Sequence, residues 1–254
     1  MAAVNLKYNC TNNAFQVLWC LMTVLVVSNI DLPIKLRVIK PATFLDSTIN
    51  EPTLNLNNEY RYLKTGYYVS MHAEILGNSV IPSCENIIDS SRTPVFLLRA
   101  AKAGVPTLPV VVTDSVKKIM NELGFPVLLF AVNPFIHGGY KVAHNKSALY
   151  RAMKSLGMNY KFAVCAQPLK GELVAVKTCF GKANNLDPYT QNIAKRVYEI
   201  FRIPLCKLYI QKTVGKAYLC ALQPVTKEEL SEQDLKLISK EVSLISEQGE
   251  HFGV

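Results

Sequence analysis

The sequence lacks the features of a secreted or membrane-inserted protein. Its seven cysteines among 254 residues form no CxxC pair and no regular spacing, which argues against a disulfide framework and favours reduced thiols inside a cell. The most apolar run, residues 14–27, is too short to span a bilayer as a helix. We therefore expect an intracellular protein, cytoplasmic or organellar and not secreted, with no membrane insertion. Residues 1–21 are interpreted as an appendage ahead of the fold.

Acidic residues are scarce in the middle of the chain. Residues 1–92 carry seven basic and seven acidic side chains, residues 93–225 carry eighteen and five, and residues 226–254 carry three and seven. A middle region this basic favours an anionic partner, which would be a nucleotide, a nucleic acid or an acidic protein surface. A solvated basic face that keeps the protein in solution is the alternative.

Residues 23–90 alternate between strand and helix patterns. TVLVV, KLRVI and SVIPS read as short strands, and TGYYVSMHAEILG reads as a helix that stops near Gly77. Strands that alternate with helices predict a small parallel sheet.

After Arg92 longer helices and strands follow. The predicted helices are TPVFLLRAAKAG, DSVKKIMNELG, NKSALYRAMKSLG and PYTQNIAKRVYEIFR, and the predicted strands are VPTLPVVVT, PVLLFAV, FAVCAQP, ELVAVKTCFGKA and a hairpin that turns at Gly215. Asp114 or Ser115 is the expected N-cap of the second helix. A capping box of Thr226 and Glu229 predicts a last helix that closes at Gly249.

One stretch carries a specific family pattern. LNLNNEYRYLKTGYYVSMHAEILGNSVIPSCENIIDSSR closely resembles the N-terminal domain found ahead of RimK-like ATP-grasp ligases, whose hallmark is YRY…GYYVS…AE…G…viPS…i.D. The matching residues are Tyr60, Arg61, Tyr62, Gly66, Tyr67, Tyr68, Val69, Ser70, Ala73, Glu74, Gly77, Ile81, Pro82, Ser83, Ile87 and Asp89.

The remainder, as far as about residue 225, resembles an abbreviated ATP-grasp domain only weakly. The resemblance implies an α/β fold, with a small parallel-sheet N-terminal domain followed by an abbreviated ATP-grasp-like α+β module. We predict the N-terminal domain over residues 22–92, the degenerate ATP-grasp-like domain over 93–225, and a C-terminal amphipathic helix and tail over 226–254.

An active member of that family would bind ATP between two sheets and phosphorylate a carboxylate for attack by an amine. That chemistry requires a strand lysine on the nucleotide phosphates and acidic or amide ligands for Mg²⁺. Here the lysine position falls at or beside Phe130, and the metal-ligand positions fall near Ala221 and Gln223. What the resemblance leaves is a vestigial ATP site, and its residues are His137, Gly138, Gly139, Lys141 and Gln223.

These losses favour a non-catalytic relative that acts as a structural or binding subunit, with no cofactor expected, no catalytic residue and no metal site. One alternative is an ATP-dependent carboxylate–amine ligase that requires ATP and Mg²⁺ and uses relocated residues. The candidates for such relocation are Lys141, Lys177, Lys182, Asp187 and Glu199. Another alternative is a sensor that binds ATP without turning it over.

A protein partner or a larger complex is expected, and RNA contact through residues 93–225 is possible. Aromatic residues interleave with cations in this region, at Tyr140, Tyr150, Tyr160 and Phe162. That arrangement could pair base stacking with phosphate contacts. At helical spacing, however, such rings more often face the core, and no recognised RNA-binding motif is present.

Overall fold

The computed structural model describes residues 24–34, 36–133, 139–184 and 186–248. Within them the strands form three sheets, one parallel and two antiparallel, so the predicted α/β architecture is confirmed. The appendage predicted over residues 1–21 and the predicted helix end at Gly249 lie outside the described residues.

The first sheet is parallel, as the alternation of strands and helices predicted. Its strand order is β2–β1–β3–β4, with β1 at Leu25–Ser28, β2 at Val38–Ile39, β3 at Thr53–Leu56 and β4 at Val80–Ile81. Helices α1 (Pro41–Leu45) and α2 (Thr65–Ile75) pack on one face through a small apolar cluster. Gly77 adopts a positive φ of 78° just after α2, which is the helix stop that the sequence predicted.

Strand β3 was not predicted, because its polar residues conceal the strand pattern. Asn55 is fully buried, and its side-chain amide donates to the Gly66 carbonyl at 2.6 Å and to Ser70 Oγ at 2.8 Å. Buried polar side chains are tolerated when they hold hydrogen bonds of this kind. Hydrogen bonds made in the tertiary structure therefore stabilise a strand that local β-propensity does not favour.

The second sheet is antiparallel and carries its helices on one side. Its order is β5–β8–β6–β7, with β5 at Val111–Thr113, β6 at Val127–Ala131, β7 at Tyr140–Ala143 and β8 at Val164–Pro168. Helices α5 (Val116–Leu123) and α6 (Lys146–Leu156) share an apolar core with this sheet. Ser115 is the N-cap of α5, since its side chain accepts a hydrogen bond from the Lys118 N–H at 3.3 Å. Strand β7 was interpreted from the sequence as part of a loop.

Two helices connect the first sheet to the second. They are α3 (Cys84–Ser91) and α4 (Thr93–Lys102), which meet at Arg92. Side chains from both the N-terminal region and the later sheets, among them Tyr60, Ile87 and Phe96, share one apolar cluster. The division at residue 92 stays a prediction.

The third sheet has the order β11–β10–β9 and contains the predicted hairpin at Gly215. Its strands are β9 at Glu172–Cys179, β10 at Leu205–Thr213 and β11 at Lys216–Gln223. Helix α7 (Pro188–Phe201) precedes β10, with Asp187 as N-cap and Pro188 in the first turn. Proline fits there because the first helical N–H groups have no partner within the helix.

The C-terminal segment differs from the continuous helix that the sequence predicted. The capping box of Thr226 and Glu229 is present, but it closes only a 3₁₀ turn over Lys227–Glu229. A second cap follows, in which the Ser231 hydroxyl accepts from the Asp234 N–H at 3.2 Å, and α8 runs over Glu232–Gln248. Two caps in succession therefore produce a 3₁₀ turn and a separate helix with a break between them.

Helix α8 packs on its own chain. Ile238 and Val242 are buried at 0% and 1% exposure. They share a cluster with Val26 and Leu54 of the first sheet and with Leu205 of the third.

In the described part of the chain, no helix is long and apolar enough to cross a membrane. The five cysteines within it are free thiols, as expected from their spacing.

Candidate functional site

A cavity of about 250 Å³ lies between the second and third sheets and is closed on one side by the N-terminal region. This is the place at which the resemblance locates an ATP site. Its walls come from the regions predicted over residues 22–92, 93–225 and 226–254. They are Tyr60, Arg61, Ser90, Ser91, Thr93, Phe130, Ala131, Asn133, Gly139, Leu205, Cys206, Lys207, Leu222, Gln223, Pro224 and Thr226.

The cavity receives a phenyl ring where the family's strand lysine is expected. Phe130 lies on β6 and is 2% exposed. Its ring centroid is 6.2 Å from that of Tyr209 and 6.3 Å from that of Tyr140. The neighbouring Leu129 points into the core shared with α5 and α6. This part of β6 therefore presents aromatic and aliphatic groups to the cavity and no ammonium group.

Two cations in the cavity wall already hold carboxylates. Lys207 Nζ contacts Glu229 Oε1 at 2.5 Å. Arg61 Nε donates to Glu59 Oε1 at 2.8 Å and to Oε2 at 3.0 Å. The bond from Lys207 and the backbone N–H of Thr226 lower the pKa of Glu229, so this carboxylate stays charged at neutral pH. An incoming phosphate would compete with these carboxylates for the cations.

Two titratable groups in the wall are held neutral by burial. Burial raises the pKa of the Cys206 thiol to about 12, although a hydrogen bond with Thr178 opposes the shift. Burial also raises the pKa of Tyr60 well above its usual value. A thiol is a nucleophile only as the thiolate, so Cys206 offers a small apolar surface at neutral pH.

The residues present do not fit a magnesium ion. Ala221 is 1% exposed and has no ligand atom in its side chain, and Gln223 supplies one neutral amide to the cavity. Hard divalent cations prefer several oxygen ligands, with carboxylates among them. Within the described residues, no group of three or more His, Cys, Asp or Glu side chains could hold a metal ion.

The structure separates the predicted site residues. Gly139 and Gln223 both line the cavity. Lys141 is exposed and pairs in register with Leu129, whereas Tyr140 pairs with Phe130. Because side chains alternate across a strand, Lys141 lies on the sheet face opposite to Phe130. His137 and Gly138 lie outside the described residues, and nucleotide binding by any of the five stays a prediction.

The residues considered for a relocated site are engaged elsewhere. Lys177 Nζ contacts Asp234 at 2.5 Å, and Lys182 Nζ contacts Glu241 at 2.7 Å. Asp187 caps α7 and pairs with Lys212 at 2.6 Å. Glu199 lies one helical turn from Lys195 on the exposed side of α7. Within the described residues, neither these four nor Lys141 line the cavity.

Sequence reasoning missed the contribution of the N-terminal region to the cavity. Tyr60 and Arg61 both belong to the YRY motif, which was interpreted only as a family signature. The Tyr60 hydroxyl donates to the Asn55 carbonyl at 2.8 Å and accepts from the Asn57 N–H at 3.0 Å. This anchors the ring at the end of β3, beside the cavity, so the motif itself was the available signal.

Solved structures share this architecture. A D-alanine–D-alanine ligase from Bacillus anthracis complexed with ATP is 13% identical, with coverage of 91% of this chain and 99% of that chain and a TM-score of 0.59. A RimK domain protein ATP-grasp from Sphaerobacter thermophilus is 13% identical, with coverage of 87% and 99% and a TM-score of 0.61. The ATP-grasp ligase PsnB, complexed with minimal precursor, Mg and ADP, is 13% identical, with coverage of 90% and 98% and a TM-score of 0.60. At these identities the similarity establishes an ATP-grasp fold.

The family follows from the sequence match. A model described as the RimK-like ATP-grasp N-terminal domain matches residues 44–241. The chain therefore belongs to the RimK-like ATP-grasp N-terminal domain family, as its YRY and GYYVS motifs predicted. No curated protein sequence matches it.

Proposed function

We propose that this chain is a non-catalytic ATP-grasp protein that acts as a structural or binding subunit. The observation that carries the proposal is Phe130, whose buried ring stands where phosphoryl transfer requires a lysine. Transfer of a phosphoryl group depends on cations placed against developing negative charge. A phenyl ring provides no such charge.

The remaining wall of the cavity supports the same proposal. Ala221 and Gln223 replace acidic and amide metal ligands, and the cations Arg61 and Lys207 are neutralised by Glu59 and Glu229. What remains is a small cleft whose wall mixes apolar groups with polar ones such as Ser90, Asn133 and Gln223. Pockets that combine apolar surface with polar groups of this kind are suited to binding small ligands.

In this proposal the basic middle region, residues 93–225, binds the partner, which is RNA or an acidic protein surface. Support comes from the excess of eighteen basic over five acidic side chains in residues 93–225. Such a surface attracts anionic partners over long range.

The test combines ATP-dependent thermal unfolding with an assay for ADP, in which a mixture of amino acids supplies carboxylate and amine groups. A ligand at a hundred times its dissociation constant adds about 2.7 kcal/mol of apparent stability, which is a readily measured rise in melting temperature. We expect no magnesium-dependent rise with millimolar ATP and no ADP above that formed in buffer. A magnesium-dependent rise together with ADP would contradict the proposal in favour of the ligase alternative.

A rise without ADP would replace the subunit role with the ATP sensor. Two variants would then locate the ligand. Lys207→Met removes a cation from the cavity wall, whereas Lys195→Met removes an exposed cation from α7 and serves as the matched control. Binding in the cleft requires that only the first variant lose the rise.

A further inference from the structure

A second surface lies outside the cavity and surrounds the C-terminal end of α6. It meets the cavity wall where the Asn133 side-chain amide donates to Met158 Sδ at 3.3 Å. It displays four large apolar side chains, with exposures of 46%, 45%, 42% and 44% for Tyr150, Met158, Tyr160 and Phe162. Exposed cations stand between them at Arg151, Lys154 and Lys161. These seven residues are called the aromatic–basic surface. Rings at helical spacing more often face the core, but Tyr150, Tyr160 and Phe162 are exposed.

The loop that presents this surface is held by its own backbone. The Asn159 N–H donates to the Lys154 carbonyl at 2.8 Å, and the Phe162 N–H donates to the Gly157 carbonyl at 3.0 Å. A Cβ on Gly157 would lie 2.6 Å from the Phe162 carbonyl oxygen, so only glycine permits this approach. The Tyr160 hydroxyl donates to the Tyr150 carbonyl at 3.0 Å, which fixes the ring against the helix.

The same loop holds a costly conformation. Met158, Asn159 and Tyr160 have φ values of 51°, 58° and 63°. The left-handed region is unfavourable for residues other than glycine, and least so for asparagine. Strain of this kind persists where the surroundings fix it, and it is concentrated at functional positions.

Negative charge is absent from the stretch of sequence that carries this surface. No aspartate or glutamate occurs between Glu122 and Glu172, whereas six lysine or arginine residues do. They are Lys141, Lys146, Arg151, Lys154, Lys161 and Lys170. In the described part of the chain, none of these six has a carboxylate within ion-pair distance.

We propose that the aromatic–basic surface binds single-stranded nucleic acid. This deepens the partner half of the proposed function and rests on it. Along Met158–Phe162 a large apolar side chain alternates with a polar or cationic one, so bases can stack on rings while phosphates meet Lys154 and Lys161. A protein partner would favour a continuous apolar patch at the centre of its interface. Here polar and cationic residues interrupt the apolar side chains.

The test is binding of a fluorescein-labelled twelve-nucleotide oligouridylate, measured by anisotropy between 50 and 200 mM salt. Tyr160→Ala and Phe162→Ala should each weaken binding about fivefold or more, which is the expected effect of losing one stacked base. Tyr160→Phe keeps the ring but removes its hydrogen bond to the Tyr150 carbonyl, so it should weaken binding less than Tyr160→Ala does. Replacing Arg151, Lys154 and Lys161 by alanine should reduce the slope of log affinity against log salt by about 2.

Matched controls come from α7, where Tyr189 is 58% exposed and the Lys195 side chain is 71% exposed. Tyr189→Ala and Lys195→Ala should leave binding unchanged. Equal losses in these controls, or no binding by the parent at 50 mM salt, would overturn the proposal. So would full competition by polyglutamate at equal charge concentration, because that outcome assigns the surface to acidic proteins. Lys207→Met in the cavity wall should leave oligonucleotide binding unchanged. The oligonucleotide experiment therefore tests the aromatic–basic surface separately from the ATP experiment, which tests the cavity.

Discussion

The second and third sheets differ in how many of their cations form ion pairs with carboxylates. In and around the third sheet, four lysines each hold a carboxylate, and three of the four acids belong to the C-terminal segment. The pairs are Lys177 with Asp234, Lys182 with Glu241, Lys207 with Glu229 and Lys212 with Asp187. Around the second sheet, the six cations between Glu122 and Glu172 have no such partner in the described part of the chain. The cations of residues 141–170 therefore keep their positive charge without a paired carboxylate among the described residues, whereas four lysines in and around the third sheet do not.

The difference shows that a charge total does not locate a binding surface. The acidic residues after position 225 are distant in sequence from the lysines that they neutralise. Only the tertiary structure identifies which part of the basic region remains available to an anion. The largest expected effect is on the free energy of unfolding, and it concerns helix α8, which carries Asp234 and Glu241.

Ile238→Ala should lower the free energy of unfolding by about 2–5 kcal/mol, because the side chain is 0% exposed and its removal leaves a cavity. Chemical denaturation measures the change. Leu244→Ala, on a half-buried position of the same helix, is the control and should cost clearly less. Equal losses at the two positions would mean that α8 does not pack as described.

One buried glutamine in the second sheet and one in the third permit a sharper comparison, of hydrogen bonding inside the core. Gln211 on β10 is fully buried and satisfied, since its oxygen accepts from the Lys170 N–H at 2.8 Å and its amide donates to the Pro168 carbonyl at 3.1 Å. Gln167 on β8 is also fully buried, and neither of its side-chain polar atoms has a hydrogen-bond partner among the described residues. An unsatisfied buried polar group costs about 1–3 kcal/mol.

Leucine should therefore have opposite effects at these two positions. Gln167→Leu should stabilise the protein by about 1–3 kcal/mol, whereas Gln211→Leu should destabilise it by a similar amount because the Lys170 N–H loses its acceptor. Thermal and urea unfolding of both variants check the signs. A loss of stability in Gln167→Leu would indicate a hydrogen-bonded partner for that amide.

The smallest expected effect concerns pH. Burial opposes ionisation of Asp234, but Lys177 and the Ser231 cap outweigh it and lower the pKa of this carboxyl. A lowered folded-state pKa gives stability that is present above the ordinary aspartate value, about 3.9, and that is lost as the pH falls through the folded value. Both side chains are partly exposed, so we expect less than about 1 kcal/mol.

Asp234→Asn should accordingly lower stability at pH 7 and flatten the acid limb of the unfolding curve below about pH 5. Lys146→Ala, which removes a cation with no carboxylate partner in the described part of the chain, should leave that limb unchanged. An acid limb that Asp234→Asn does not alter would show that the pair adds nothing to stability.

Much of the fold could be predicted from local patterns. Helix starts at Ser115 and Pro188 and the hairpin at Gly215 follow from capping and turn chemistry. Strand β3 could not, because Asn55 becomes acceptable only through Gly66 and Ser70, which are brought together by folding. The motif resemblance identified Phe130 and Gln223 as site positions, but the counterions Glu59 and Glu229 are set by side-chain geometry alone.

The cluster that joins Val26 on the first described strand to Ile238 and Val242 on the last helix has a kinetic consequence. Contacts between segments this far apart in sequence require the closure of a large loop, and their loop entropy is lost before the contacts form. The first sheet cannot bury this face until α8 has been synthesised and docked. During synthesis on the ribosome, Val24, Val26, Leu54 and Leu56 therefore stay exposed on that face for the longest time, and they form the surface that a chaperone would cover.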